Sequence, residues 1–132
     1  MISGRGKDII IDYKGKTVIG LTERILLKTP GGKSKDVLAR IDTGATKSSI
    51  DVKLAAELKA GPILKAKLVK SASGTSVRPM VQCKLEIANK KVTSEFTIAD
   101  RSHMKFRVLI GQNILCNNNF LIDPSKGTKG EQ

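Results

Sequence analysis

Apolar residues along this chain mostly alternate with polar ones or gather in short β-branched runs, and helical spacing is confined to brief stretches. A pattern of that kind predicts a mainly β fold. Ile9, Ile10, Ile11 and Tyr13, then Val18 to Leu27, read as two strands joined near Gly15. Thr29-Pro30-Gly31-Gly32-Lys33-Ser34 is a loop of turn formers, and it delivers a third run, Val37 to Ile41, that stops at Asp42. Beyond Ser48 and Ser49, Asp51 is placed to cap a short helix through Lys59. Leu54 and Leu58 lie one turn apart, and Gly61-Pro62 ends the helix. Alternation resumes over Ile63 to Val69, Val77 to Ile87 and Val92 to Ile98, with Ser71 to Ser76 and a hairpin turn at Asn89-Lys90 between them. Val108 to Ile110 reads as a buried strand, Gly111 permits a sharp change into a short helical turn through Leu115, and Phe120 to Ile122 is a last strand.

The 132 residues are enough for one core and too few for two, so residues 1–125 are expected to form a single domain followed by a flexible polar tail, 126–132. With three Phe, one Tyr and no Trp, the interior must be filled by Ile, Leu, Val and Ala. Cys83 and Cys116 are far apart and outside any Cys-x-x-Cys spacing; both read as core thiols. There is no run of apolar residues long enough to span a bilayer and no apolar leader before Asp8, which gives the expectation of a cytoplasmic protein without a membrane partner.

A net charge of +12 attracts polyanions in general. Nucleic acid is therefore a candidate partner, although the basic residues are scattered and the aromatic residues show no stacking spacing, so a solvated basic surface is the better reading. The surplus points only weakly toward acidic substrates.

The strongest chemical signal is Asp42-Thr43-Gly44-Ala45, an acid at a strand end followed by a hydroxyl and a glycine. A carboxylate that activates water must be held rigidly; Thr43 can lock the loop by hydrogen bonding, and Gly44 lets backbone amides approach the acid. Taken alone, Asp-x-Gly is more often an ordinary turn. The order of parts changes that balance. The stretch Val69 to Val77, with Ala72, Ser73, Gly74 and Thr75 at its tip, is a small-residue hairpin between apolar strands, and the late segment Val108-Leu109-Ile110-Gly111-Gln112-Asn113-Ile114-Leu115 joins a buried strand to a helical turn.

In that order these three segments resemble the active-site loop, the flap and the loop-supporting segment of retropepsins. More narrowly, Ala99-Asp100-Arg101-Ser102-His103-Met104 and Leu121-Ile122-Asp123-Pro124-Ser125 are similar to the prokaryotic retropepsin-like family that accompanies ATP-grasp glutamate ligases acting on a ribosomal protein. The resemblance covers about residues 20 to 125. It implies a closed acid-protease barrel with one or two short helices and an aspartic endopeptidase that is active as a homodimer. Each subunit would give one Asp42 to a water-activating pair, and the substrate would be an extended peptide or protein. It also implies flap roles for Ala72, Ser73, Gly74 and Thr75, with Gly74 as hinge, and loop support from Ile110 and Gly111. The other reading is a non-catalytic dimeric binding module on the same fold, associated with nucleic acid or the ribosome.

Members of that family often carry the label of ATP-dependent zinc proteases. Neither half of the label has support here. With His103 as the single histidine and no His-Glu-x-x-His pattern, no catalytic zinc site of a standard kind can be built, and no phosphate loop is present. No cofactor and no metal are expected. Two departures from the retropepsin pattern stand out: Gln112 occupies a place where many members have arginine, and Thr46-Lys47 occupies one where retroviral enzymes carry acids. The ion pair between those places is therefore absent, leaving Asp100 with Arg101 or Lys105 as a candidate substitute. The polar tail shows no evident interface strand, so the dimer is expected to be built differently. His103 reads as a loop residue, and Asp51, Asp100 and Asp123 lack the Thr-Gly that would mirror Asp42.

Overall fold

The computed structural model describes residues 11–28, 32–61, 63, 65–72 and 74–127. Among these residues two short helices and ten strands follow one another as β1 (Ile11–Tyr13), β2 (Lys16–Ile19), β3 (Thr22–Lys28), β4 (Ser34–Ile41), β5 (Ser48–Asp51), α1 (Val52–Glu57), β6 (Lys65–Ser71), β7 (Gly74–Ile87), β8 (Lys90–Ala99), β9 (Val108–Ile110), α2 (Gln112–Leu115) and β10 (Phe120–Ile122). Seven strands form one sheet in the order β3-β4-β9-β5-β8-β7-β6, and an additional β3–β7 pairing closes six of them into a barrel with β6 outside the ring. The mainly β, closed acid-protease barrel expected from the sequence is thus present.

The barrel is filled as its composition requires. Ile25 and Leu27 of β3, Ile50 of β5, Leu85 and Ile87 of β7, Phe96 of β8 and Ile110 of β9 are all buried, and the period of two along β3 puts intervening residues outward. Leu54 of α1, Leu58 just past its end and Ile114 of α2 plug the same core. Phe96 is the one aromatic side chain that is completely enclosed.

Three details depart from the sequence reading. The single strand expected over Val18 to Leu27 is broken at Gly20 and Leu21, because β2 belongs to a separate three-stranded sheet, β1-β2-β10, while β3 belongs to the barrel. Gly20 donates to Glu23 at 2.8 Å, and a Cβ there would lie 2.8 Å from the Lys126 carbonyl, so the turn requires glycine. The hairpin between β7 and β8 turns on Ala88 and Asn89, both at positive φ (48° and 64°), one residue earlier than the asparagine-led turn predicted at Asn89-Lys90. Ser48–Asp51, which carried no strand signal, is a fully buried central strand between β8 and β9. The start of the first expected strand, Ile9 and Ile10, and much of the loop at Thr29 to Gly31 lie outside the described residues.

Candidate active site

Strand β4 runs parallel to β9, and its hydrogen-bonding continues one step past its end: the Asp42 amide donates to the Ile110 carbonyl at 2.9 Å. Its neighbour Ile41 donates to Leu21 at 2.9 Å. Asp42 therefore leaves a doubly anchored strand with its carboxylate partly exposed. The loop then folds back on it, since Gly44 N–H donates to Asp42 Oδ1 at 2.9 Å and the Ala45 amide to the Asp42 carbonyl at 3.3 Å. Thr43 enters this bonding through its carbonyl, and its side chain is exposed.

Residues 110 to 113 hold the loop from beneath. Gln112, in place of the arginine of related loops, donates its side-chain amide to the Thr43 carbonyl and its backbone amide to Ala45, both at 2.8 Å, and Asn113 N–H reaches Thr46 at 3.2 Å. Asp100 is not part of a substitute pair; its carboxylate accepts from the Ser102 hydroxyl (2.6 Å) and amide (2.9 Å), which holds it below the usual carboxylate range. Gly111 is a glycine of necessity: a Cβ would stand 2.7 Å from the Lys47 carbonyl and 2.8 Å from that of Ala45. Its N–H donates to Ser48 Oγ at 2.9 Å.

Asn113, a residue of the late segment to which the sequence alone assigns no role, is the hub of this support. Its Oδ1 accepts from the Ser48 amide (2.9 Å) and hydroxyl (2.8 Å), while Nδ2 donates to Ser94 Oγ and the Glu95 carbonyl, both at 2.9 Å. One amide so ties the loop-supporting turn to β5 and β8. All four of its hydrogen-bonding positions are used, which only an Asn or Gln side chain can supply.

The segment read as a flap is the hairpin of β6 and β7. Register pairs Ser71 with Gly74, with Ala72 following Ser71 at the turn; Gly74 has φ +121°, a conformation that a side chain would strain. Ala72 and Thr75 are exposed, and Ser73 lies outside the described residues. Below the flap is a cleft of about 520 Å³, walled by Gly44 and Ala45 on one side and by Leu68 and Lys70 of β6 on another. Lys47, Arg78 and Arg101 also line it, and among its described lining residues there is no acidic side chain. On its floor Ser49, buried to 6% exposure, has a hydroxyl without a hydrogen-bond partner.

Asp51, weighed at the sequence level as a second carboxylate, is instead structural. It caps α1 through Lys53 N–H (3.1 Å), accepts the Arg101 amide (2.8 Å) and faces Arg107 at 3.7 Å while only 2% exposed. By fixing Arg101, it orients a cleft residue. The Arg101 guanidinium donates to the Phe106 carbonyl at 2.9 Å, and its burial, with Arg78 nearby, works against its charge while Asp51 and Asp42 favour it. Cys83 is buried, and that burial pushes its thiol up to about 11; Cys116, expected in the core, is exposed on the turn after α2. His103 is exposed, and among the described residues no three His, Cys, Asp or Glu side chains cluster as a metal site.

Barrel, loop and flap together define a retropepsin-type acid-protease domain. The EIAV protease complexed with the inhibitor HBY-793 superposes with a TM-score of 0.61 at 16% identity, over 81% of this chain and 93% of that one. A Legionella pneumophila protein of unknown function does so with 0.59 at 18% identity, over 86% and 98%. The sequence profile of the RimB-like family, described as the retropepsin-like aspartic endopeptidase RimB, matches residues 53–129, and this chain belongs to that family. The matched stretch begins after Asp42 and includes the flap and the loop-supporting segment. No curated protein matches the sequence. Among the described residues no helix is long and apolar enough to cross a membrane.

Proposed function

We propose that this protein is an aspartic endopeptidase that works as a homodimer, with Asp42 of each subunit forming one half of a carboxylate pair. The observation that carries this reading is the Asp42 loop itself: a strand-end carboxylate bound by the Gly44 amide, its loop held from below by Gln112 and Asn113, at the edge of a flap-covered cleft. One chain brings only this acid. Two-fold symmetry supplies the second.

Two carboxylates at about 3 Å cannot both ionise, so the pair shares a proton. The ionised member takes a proton from water as the oxygen attacks the scissile carbonyl carbon, and the protonated member gives its proton to the carbonyl oxygen. Collapse of the tetrahedral diol breaks the C–N bond, with a proton delivered to the leaving amine, and no covalent enzyme intermediate forms. Rigidity of the loop serves this by holding the acids in position before substrate arrives. Substrate lies as an extended strand between flap and loop.

Lys47, Lys70, Arg78 and Arg101, in a cleft with no acid among its described lining residues, favour peptides with acidic side chains near the cut. Cleavage of a mixed peptide library by wild type and by Asp42→Asn, from about pH 4 to 7.5, tests both parts. The expected result is hydrolysis by the wild type alone, with Asp and Glu enriched around the cut. No cleavage by either protein, from a folded dimer, would move the reading to a binding module.

A further inference from the structure

Arg101 stands apart from the other cations of the cleft in how firmly it is held. Its amide donates to Asp51 Oδ1 at 2.8 Å and its carbonyl accepts from the Met104 amide at 2.9 Å, so the backbone is fixed on both sides. The side chain is fixed as well, since Nε donates to the Phe106 carbonyl at 2.9 Å. That bond occupies Nε–H alone and leaves both Nη groups without an acceptor among the described residues. Lys47, Lys70 and Arg78 line the same cleft, and among the described residues no hydrogen bond or ion pair fixes the side chain of any of them. A second polar group near Arg101 is also unused. Ser49 lies on β5 two residues before Asp51, about 6.6 Å along the strand and on the same face. It lines the cleft, is 6% exposed, and holds no hydrogen bond through its hydroxyl, whereas its cross-strand neighbour Thr97 donates its own to the Ser48 carbonyl at 3.3 Å. A buried hydroxyl without a partner is destabilising until a ligand supplies one. Turning this one about χ1 breaks no bond, so it is free to meet a group that enters from the cleft.

Charge indicates what that group is. Arg101 is partly desolvated, Arg78 is close enough to oppose its charge, and no described lining residue is acidic. An anion relieves that repulsion; a cation or an apolar side chain does not. The guanidinium fork matches a planar pair of oxygens, and in a peptide the anion of that shape is a carboxylate. Resting on the peptidase reading above, we infer that Arg101 is the specificity-determining residue of the cleft: its Nη groups bind a substrate carboxylate, and the Ser49 hydroxyl donates to the same group. Lys47, Lys70 and Arg78 add attraction without fixed geometry, so discrimination between a carboxylate and its neutral amide rests on the one fork. Asp42 also acts on the Arg101 charge, which places the bound carboxylate within electrostatic reach of the proposed acid and hence close to the cut. The carboxylate belongs either to a Glu or Asp side chain or to the C-terminus of the peptide.

Four peptides of one sequence test this, with Glu or Gln beside the cut and each with a free or an amidated C-terminus. Wild type is expected to favour the carboxylate over the carboxamide by at least about tenfold in kcat/KM, the order set by hydrogen bonds to a charged group. In Arg101→Gln that ratio falls to about one, through KM more than kcat. In Arg101→Lys it lies in between, because an ammonium keeps the charge and loses the fork. Ser49→Ala removes a hydroxyl that holds no bond in the free protein, so the unfolding midpoint holds while the ratio falls severalfold; this variant carries the test if Arg101→Gln folds poorly.

A merely structural Arg101 would lower cleavage of Glu and Gln peptides alike. A ratio that Arg101→Gln leaves unchanged, or a wild-type ratio near one, therefore overturns the proposal. A Glu advantage among the amidated peptides traces the carboxylate to the side chain, and a free-acid advantage among the Gln peptides traces it to the C-terminus; either upholds the fork if Arg101→Gln removes it. Binding separates this inference from the peptidase reading. Fluorescence anisotropy of the same labelled peptides, on Asp42→Asn protein with and without Arg101→Gln, reads the ratio without hydrolysis. Loss of the ratio there, with no cleavage by wild type, upholds the fork and refutes the peptidase. Cleavage by wild type with a ratio indifferent to Arg101 does the reverse.

Discussion

Replacing Asn113 by alanine removes four hydrogen bonds at once, and their inventory sets the size of the effect. The Ser48 amide, in a residue with no exposed surface, loses its acceptor and is left buried and unsatisfied, which costs about 1–3 kcal/mol. The Ser48 hydroxyl, the Ser94 hydroxyl and the Glu95 carbonyl each lose a partner as well, at roughly 0.5–1 kcal/mol where water or rotation can compensate in part. The expected total is about 3–5 kcal/mol. For a domain of this size, with a urea slope of about 1.5 kcal/mol per molar, the unfolding midpoint falls by about 2–3 M. Protomer concentration must be held fixed, since dimerisation stabilises the folded chain. Asn113→Asp is the informative companion. It keeps the acceptor for Ser48, the Ser94 hydroxyl can turn to donate to it, and only the 2.9 Å approach to the Glu95 carbonyl becomes repulsive. With three of the four contacts kept, the deficit of Asn113→Asp is expected to be smaller than that of Asn113→Ala. A midpoint shift under about 0.5 M for Asn113→Ala would refute the hub, because the remaining contacts would then be holding β5 and the loop on their own.

Two further outcomes follow from the same geometry. Gly111→Ala forces a Cβ against the Ala45 and Lys47 carbonyls at 2.7–2.8 Å, in the loop that follows Asp42, so on the peptidase reading a stability loss of about 1–3 kcal/mol should come with an equal proportional fall in kcat and kcat/KM, read by denaturation and steady-state kinetics on one preparation. In the folded protein at pH 8 a thiol reagent should titrate Cys116 alone, with Cys83, pushed up to about 11 by burial, reacting only on unfolding; two fast thiols would contradict the burial.

Much of this architecture was legible because it rests on local rules. Strand β4 ending before Asp42, the β6–β7 hairpin and the turn at Gly111 all announce themselves by hydrophobic runs punctuated by small residues. What stayed hidden depends on distant partners. Ser48–Asp51 has a polar sequence, and its burial as a strand follows from β8 and β9 lying on either side, far along the chain. The break at Gly20 is fixed by Lys126, whose ammonium also reaches Glu23 at 2.6 Å from the segment read as a free tail. The Asn89-Lys90 turn slipped by one residue because Ala88 takes a positive φ that its type disfavours. Gln112 read as a loss, since its replacement of arginine removes a charge; only the structure shows its amide on the Thr43 carbonyl.

The most direct test of the paired-acid claim is subunit mixing. A constant amount of wild type is equilibrated with an equal amount of Asp42→Asn above the dissociation constant, and peptide cleavage is compared with wild type alone. If both acids of a dimer are required, half the wild-type chains end in inactive mixed dimers and the rate falls to about one half. An unchanged rate would mean that each subunit acts by itself, and the shared-carboxylate account would be wrong.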